Sequence, residues 1–452
     1  MTKQSKIISP EHEYLGAGKS AAYGLQHVLT MYGGIIAPPL IVGTAAGLEA
    51  YQIGLLIAAA LFVGGLATIL QTVGVKYIGA KLPLVQGVSF AGVATMVAIV
   101  TTGGGLQAVY GAVIVASLIG FLLAPYFSKI IRFFPPVVTG CVITIIGLSL
   151  LPVAVRWMMG GNPKAPEWGS VENIGLALMT LALVVCLNLS RHAAIRRLSI
   201  LLAIVLGSVL AYLFGFGDFS KVATGSWIQV PSFFAFGLPT FEFTAIISML
   251  IVTLVIMTET TADIIAVGEI VGTKVDADRI SNGLRADMLS SAIAPVFGSF
   301  MQSAFAQNVG LVAITGIKSR FVVATGGMIL VVLGLLPIMG RLIAAIPVPV
   351  LGGAGLVLFG TVAASGIRTL AKIDYNEQKN LIIVATAIAA GMIPIIDHSF
   401  YANFPKWVQT LFHSGISSTC LMAILLNLLF NHLNLFKNKS TATTEIVAKL
   451  PH

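Results

Sequence analysis

Apolar runs of about 20 residues, most of them free of charge, recur along this chain, parted by short connections rich in Gly, Pro and polar residues, and a run of that length is what a helix needs to cross a bilayer. The runs fall at roughly 19–43, 51–73, 82–101, 105–127, 134–154, 173–189, 197–215, 243–266, 284–300, 307–317, 321–340, 346–366, 380–397 and 416–435. They predict an all-α polytopic membrane fold with fourteen spans. Two of the runs break the pattern. Leu82–Met96 (LPLVQGVSFAGVATM) and Met301–Gly316 (MQSAFAQNVGLVAITG) place a glutamine and small residues where an ordinary spanning helix carries leucine. Short, interrupted segments in corresponding halves are the sequence mark of a transporter's binding site.

The halves also repeat. Pro136 to Leu148 and Pro349 to Thr361 share a proline followed by glycines at the same later positions, Gly140 with Gly353 and Gly147 with Gly360, at an offset of 213 residues. Gln86 and Gln307 of the two interrupted segments are 221 apart, so the fifth span matches the twelfth and the third matches the tenth. Each half then holds seven spans, and because seven is odd the halves are inverted in the membrane, an arrangement that places substrate between them near the midplane. Pro-Gly helix ends also recur by chance among apolar helices, which leaves a second reading open for this one pair of segments.

Composition agrees: 57% of the 452 residues are hydrophobic and 10% charged, with a mean hydropathy of +0.96, far from a soluble domain. The first eighteen residues are polar and mixed in sign, with no short apolar core before a cleavage site, so the first span is expected to stay in the mature chain. With a cytoplasmic N-terminus, only Arg156, Lys164, Lys221, Arg341 and Lys406 of the 26 Lys and Arg fall in outer connections. That is the bias of short cytoplasmic loops, and it puts both termini inside. Trp157, Trp168, Trp227 and Trp407 fall in the same outer connections, where indoles settle at the headgroup boundary. Topology therefore accounts for the net charge of +9, and no nucleic-acid partner is needed. Cys141, Cys186 and Cys420 lack metal-ligand spacing and read as small core residues. No metal, cofactor or catalytic residue is expected, since no nucleotide-binding loop, HExxH, GxSxG or DDxxD run is present.

Few ionisable residues lie inside the spans, where burying a charge costs several kcal/mol unless it is paired or hydrated. Glu259 and Asp263 (IMTETTADIIAV) are four apart in the eighth span, so both carboxylates leave one helix face. Asp287 lies about a turn into the ninth span and His27 in the middle of the first. Such groups can load and release a proton; they can equally serve structure by pairing with backbone amides or hydroxyls.

From Gln26-His27 to the last span, these residues resemble the nucleobase–ascorbate transporters, also called nucleobase:cation symporter family 2. The tenth segment carries the likeness most specifically. Gln307-Asn308-Val309-Gly310, with Thr315-Gly316 following after four residues, is similar to the family signature of Gln, Glu or Pro before Asn-x-Gly and a later Thr. In the family a Gln at the first position goes with xanthine and uric acid carriers, Glu with uracil carriers and Pro with ascorbate-type members, so Gln307 implies an oxidised purine. By the same resemblance Glu259, Ser89, Phe90 and Ala306 meet the substrate beside Gln307. Asp287, His27, Asp263 and Asn308 support the site and couple it to protons. A glutamine amide offers a donor and an acceptor in one plane, which suits the alternating N–H and C=O edge of such a ring. Packing alone would explain Ser89, Phe90 and Ala306.

Ser89 stands where xanthine-selective members carry Asn, which favours uric acid with xanthine also accepted. Ala262, where many members have glycine before the aspartate, leaves the contact of Asp263 with substrate open. The resemblance further implies an N-terminal tail (1–18), a core of spans 1–4 (19–127) and 8–11 (243–340), and a gate of spans 5–7 (128–215) and 12–14 (341–435). An outer connection (216–242) and a C-terminal tail (436–452) complete the chain. A homodimer joined through the gate, in a bacterial inner membrane, is expected. Carriers of another nucleobase such as uracil or guanine are the alternative, then anion exchangers of the same architecture, whose site would not favour Glu259 and Gln307.

Overall fold

The computed structural model describes residues 9–127, 134–217, 219–220, 222, 226–397, 399–405, 408–409 and 412–432. Lys221, Lys406, Trp407, residues 1–8 of the N-terminal tail and the whole C-terminal tail lie outside the described residues. The first half contains α1 (Ala17–Ala45), α2 (Ala50–Thr72), β1 (Gln86–Val88), α3 (Val93–Ile99), α4 (Gly105–Leu123), α5 (Pro136–Met158), α6 (Val171–Asn188), α7 (Ala193–Arg197) and α8 (Ser199–Leu213). The second contains α9 (Phe243–Val271), α10 (Ala277–Ile293), β2 (Gln302–Ala304), α11 (Ala306–Thr315), α12 (Arg320–Gly334), α13 (Pro337–Ala344), α14 (Val348–Leu370), α15 (Gln378–Ile396) and α16 (Gly415–Asn427). Helices dominate because backbone polar groups at membrane depth must be satisfied within the segment. Their ends are set locally: the Ser170 and Asp276 side chains accept from first-turn N–H groups of α6 and α10, and Gly272 (φ 81°) ends α9 in the left-handed region.

Among the described residues, eight helical runs are long and apolar enough to cross a membrane, nine if α12 and α13, bent by 76° at their junction, count as one. The expected count of fourteen spans, two of them short and broken, is not confirmed by these lengths. The third segment begins as strand β1, and a helical run from Phe90 to Tyr126 joins it to the fourth. Gly103 (φ 101°) and Gly105 (φ 64°) bend this run where a side chain would be strained. Helices α8, α10, α11 and α16 hold the places of other expected spans at 10–17 residues each.

The repeated helices α5 and α14 lie antiparallel along their whole length. A Cβ on Gly147 would come within 2.2 Å of the Ala363 backbone nitrogen, one on Gly366 within 2.2 Å of the Thr144 nitrogen, and one on Gly352 within 2.4 Å of the Met158 nitrogen. Small residues admit this approach, which supplies the dispersion contact that lipid does not. Around the pair gather α6, α8, α15 and α16, while α1, α10 and α13 pack on a second pair, α2 and α12, with α4 and α9 joined to this group through α10 and α3 through α1 and α9. A buried hydrogen bond of 2.9 Å between the Thr95 and Ser414 hydroxyls joins the two groups. Trp157 faces protein rather than lipid: it is buried and packs on Phe359, 6.3 Å between centroids. Cys141 and Cys420 are buried as expected, but Cys186 is exposed.

Beside the start of α1 a polar clasp ties the described end of the N-terminal tail to the second group. The Glu11 carboxylate, 2% exposed, accepts from Ser9, from Thr273 Oγ1 at 2.8 Å and from Arg279 Nη2 at 3.2 Å. Arg279 also donates to the carbonyls of Ala80, Lys81 and Lys274. Burial alone would raise the Glu11 carboxyl, but hydrogen bonds from Ser9, Thr273 and Arg279 together bring it from 4.5 down to about 2. A carboxyl lowered by folding stabilises the protein above its unfolded value, and that contribution is lost as pH falls from about 4.5 toward 2. Glu11→Gln is expected to lower the melting temperature of the purified protein at pH 7 and to lose less than wild type on acidification to pH 3.5. Identical melting curves for the two proteins across this range would contradict the assignment.

Candidate functional site

The two interrupted segments meet at the centre. β1 and β2 pair antiparallel, with Gln86 opposite Ala304, Gly87 opposite Ser303 and Val88 opposite Gln302. Two further backbone hydrogen bonds extend the contact, Ser89 N–H to Met301 C=O (2.8 Å) and Phe305 N–H to Val85 C=O (3.1 Å). Each strand turns directly into a helix: a 3-10 turn at Phe90–Gly92 leads into α3, and Ala306 opens α11. Two helix N-termini, with their unsatisfied N–H groups and partial positive charge, therefore start from one crossing point. Strand and helix positions align Gln86 with Gln302 and Phe90 with Ala306, an offset of 216. The sequence pairing of Gln86 with Gln307 is thus corrected by five residues.

Helix α9 crosses beside this point and packs on both β2 and α11. Glu259 and Asp263 lie on it one turn apart and are half-buried. Neither carboxylate has a hydrogen-bond partner among the described residues, although the adjacent Thr258, Thr260 and Thr261 hydroxyls are all bonded. An unengaged carboxylate inside a membrane-spanning helix is expensive; it can accept from a ligand's N–H. Gln307, in the first turn of α11, is exposed, as is Ala306 before it. Both candidates thus stand on contacting helices with polar atoms the protein does not consume.

The supporting residues hold that arrangement. His27, 2% exposed on α1, meets Asn308 through Nδ1···Oδ1 at 2.8 Å. Asn308 spends its Nδ2 on the Pro83 carbonyl at 2.6 Å, so its oxygen is the acceptor and His27 is the Nδ1–H tautomer. Asn308 thereby fastens the residue after Gln307 to both α1 and the approach to β1. Asp287, fully buried on α10, accepts from Gln71 Nε2 (2.9 Å) and Thr260 Oγ1 (2.6 Å). Asp287 is therefore a neighbour of the site, one residue's reach from Glu259 through Thr260.

Ser89 departs from the expected contact: it is 1% exposed and its hydroxyl accepts from Ala91 N–H at 3.3 Å, capping the 3-10 turn. Phe90 is half-buried, its ring 6.4 Å from Phe305 and 6.2 Å from Phe359. Gln71, Thr260 and the Pro83 carbonyl were missed by sequence reasoning. Gln71 left a faint trace as an amide at the far end of the apolar run of α2, whereas Thr260 and Pro83 carry no signal before the fold brings them in.

Known proteins fit this architecture. A family model described as "Xan_ur_permease: Permease family" matches residues 18–399. The chain is 42% identical over 407 residues to "Uric acid permease PucK" of Bacillus subtilis (strain 168), covering 90% of this chain and 94% of that protein. It is 39% identical over 429 residues to "Uric acid transporter UacT" of Escherichia coli (strain K12), covering 94% and 87%. To the "Xanthine permease" of Bacillus subtilis (strain 168) it is 38% identical over 416 residues, covering 92% and 94%. Among solved structures, the transmembrane domain of the cyanobacterial bicarbonate transporter BicA is similar at a TM-score of 0.58 and 17% identity, covering 92% of this chain and 98% of that one. Murine Slc26a9, an anion transporter in the inward-facing state, reaches 0.62 at 12% identity, covering 93% and 69%. At such identities the structures establish the fold alone. Helical spans, a strand-paired crossing of two broken segments and relatives matched nearly end to end place this chain in the xanthine/uric acid permease family.

Proposed function

We propose that the protein carries an oxidised purine, uric acid with xanthine also accepted, into the cell together with a proton. The reading rests on Glu259, a carboxylate that no protein group among the described residues engages, on a helix packed against the one that begins with Gln307. In this reading Glu259 accepts ring N–H groups from one edge of the purine, and the Gln307 amide donates and accepts at another. Free N–H groups of the two broken helices complete the set, and Phe90 flanks the ring. Permease relatives named for uric acid and xanthine support the substrate class. Another nucleobase is the second reading.

Proton coupling fits Asp287 and Glu259, which are linked through Thr260, with His27 and Asn308 fixing the start of α11 and Asp263 on the same face as Glu259. The helix groups around α2–α12 and α5–α14 correspond to a core that holds the site and a gate. Movement of one against the other would expose the site to each side in turn, and the Thr95–Ser414 bond across them would have to break. A homodimer through the gate, a bacterial inner membrane and cytoplasmic termini belong to the same reading.

Competition by uric acid, xanthine, hypoxanthine, guanine and uracil against labelled uric acid uptake tests it, with and without a protonophore. Uric acid and xanthine are expected to compete best and the protonophore to abolish accumulation. Gln307→Glu should weaken purine uptake, and Ser89→Asn, acting through the 3-10 turn it caps, should shift preference toward xanthine. Profiles identical to wild type in both variants would remove the pocket; conversion of label into a new compound would point to an enzyme.

A further inference from the structure

We propose that Gln86 and Gln302, the paired glutamines of the two strands, hold buried water against Asp287, and that this water is the path by which a proton reaches that carboxylate.

The ladder register puts Gln86, Val88, Gln302 and Ala304 on one face, because positions two apart on each strand and positions directly opposed share a side. That face looks toward α2, where Gly64 leaves room: a Cβ there would sit 3.3 Å from the Gln86 carbonyl and 3.7 Å from Gln302 Oε1. The two glutamines are cradled alike. Gln86 N–H donates to Thr68 Oγ1 on α2 at 2.9 Å, and Gln302 N–H donates to Ser291 Oγ on α10 at 2.8 Å. One turn from those hydroxyls, Gln71 and Asp287 join the same two helices by a hydrogen bond of 2.9 Å.

The side chains are where this symmetry is left unfinished. Gln86 is 1% and Gln302 0% exposed. Gln302 Nε2 donates to the Phe300 carbonyl at 2.7 Å, but among the described residues Gln302 Oε1 and both amide atoms of Gln86 find no partner in hydrogen-bond geometry. The Gln86 amide faces Asp287 as a donor that falls short of that geometry. A native interior seldom leaves three such atoms desolvated and unmade in one place. The set contains donors as well as acceptors, so a metal cation would be opposed by the Gln86 NH₂, whereas water can both give and take. Asp287 is itself fully buried, and each of its oxygens already accepts from one protein donor. A proton therefore reaches it only along a chain of hydrogen bonds. Water bonded to Gln86 and Gln302 supplies that chain: it passes one proton to the carboxylate and takes another from the next water, with no net charge left on the glutamines. Gln86 and Gln302 are positioning residues in this scheme, which rests on the reading of Asp287 as a proton-coupling group.

Two measurements on Gln86→Leu, Gln302→Leu and the double variant test the proposal. The first is the melting temperature of purified Gln86→Leu, since Gln302→Leu would in any case lose its bond to the Phe300 carbonyl. Removing an amide that has no partner stabilises, and removing one that is bonded to water destabilises, so a fall is expected and a rise would overturn the water site. The second is uptake of labelled uric acid against external pH, with equilibrium binding of uric acid at fixed pH beside it. We expect uptake to fall about tenfold and its pH profile to move by about one unit, while binding stays within about threefold. An unmoved profile in the folded variants would overturn the proton path. Gln302→Asn, which keeps an amide in place, should restore part of the profile, and it carries the test if the leucine variants do not fold. Asp287→Asn separates the two levels: proton-driven accumulation that survives it would overturn the role of Asp287 itself, whatever the glutamines do.

Discussion

Glu259→Gln is expected to reduce concentrative uptake of uric acid at least about a hundredfold in cells that hold wild-type amounts of the protein. The change keeps size and planarity but replaces an acceptor-only carboxylate by an amide that presents an NH₂ to the ligand's own N–H. Two charge-assisted hydrogen bonds of about 1.5 kcal/mol each amount to that factor. No protein group is left unpaired by the change, because none engages the carboxylate among the described residues, so the folded variant should purify normally. Glu259→Asp should keep a measurable fraction of uptake, and Asp263→Asn, one turn away, should cost much less. Wild-type accumulation by Glu259→Gln would refute the substrate site built around it.

Gly147→Val is expected to disrupt the protein before substrate is ever met. Its first added carbon would sit 2.2 Å from the Ala363 nitrogen, closer than any real contact, and the obstacle is backbone, which cannot rotate away. The α5–α14 pair would have to separate along its length at a cost of about 3 kcal/mol. Lowered expression, a broadened profile on size exclusion and a melting temperature several degrees down should follow. Gly366→Val should behave the same way from the opposite helix, with its added carbon 2.2 Å from the Thr144 nitrogen. Gly360→Ala, where no atom lies within 4 Å of the new carbon, is the control that should be silent. A stable, monodisperse Gly147→Val would mean that the repeated helices do not pack as described.

The repeat was legible because it is written in glycines, and glycines at Gly140 and Gly147 are where two backbones touch. The interrupted segments were legible because a glutamine and small residues stand there in place of the leucines of an ordinary span. That they begin as strands was not: three residues are too few to show a period of two, and Gln86–Val88 becomes a strand only because Gln302–Ala304 arrives from 216 residues away. The same lack of context moved the partner of Gln86 from Gln307 to Gln302. Glu259, Asp263, Asp287 and His27 stood out as ionisable groups in apolar runs, but nothing in the runs distinguishes the carboxylates that stay open from the one that Gln71 and Thr260 enclose. Ser89, expected at the ligand, caps the 3-10 turn at Phe90–Gly92, and a serine before a helix start serves either use equally well.

The strand pair also limits what motion can do. With Ser89 bonded to Met301, Phe305 to Val85 and Asn308 to Pro83, the two broken segments form one splint, and a substrate lodged at their junction would ride with it as cargo in a rigid cradle. Such a cradle presents the same grip to the outside and the inside. Its intrinsic affinity would then be equal from both faces, and any uphill accumulation would have to come wholly from the ion that travels alongside.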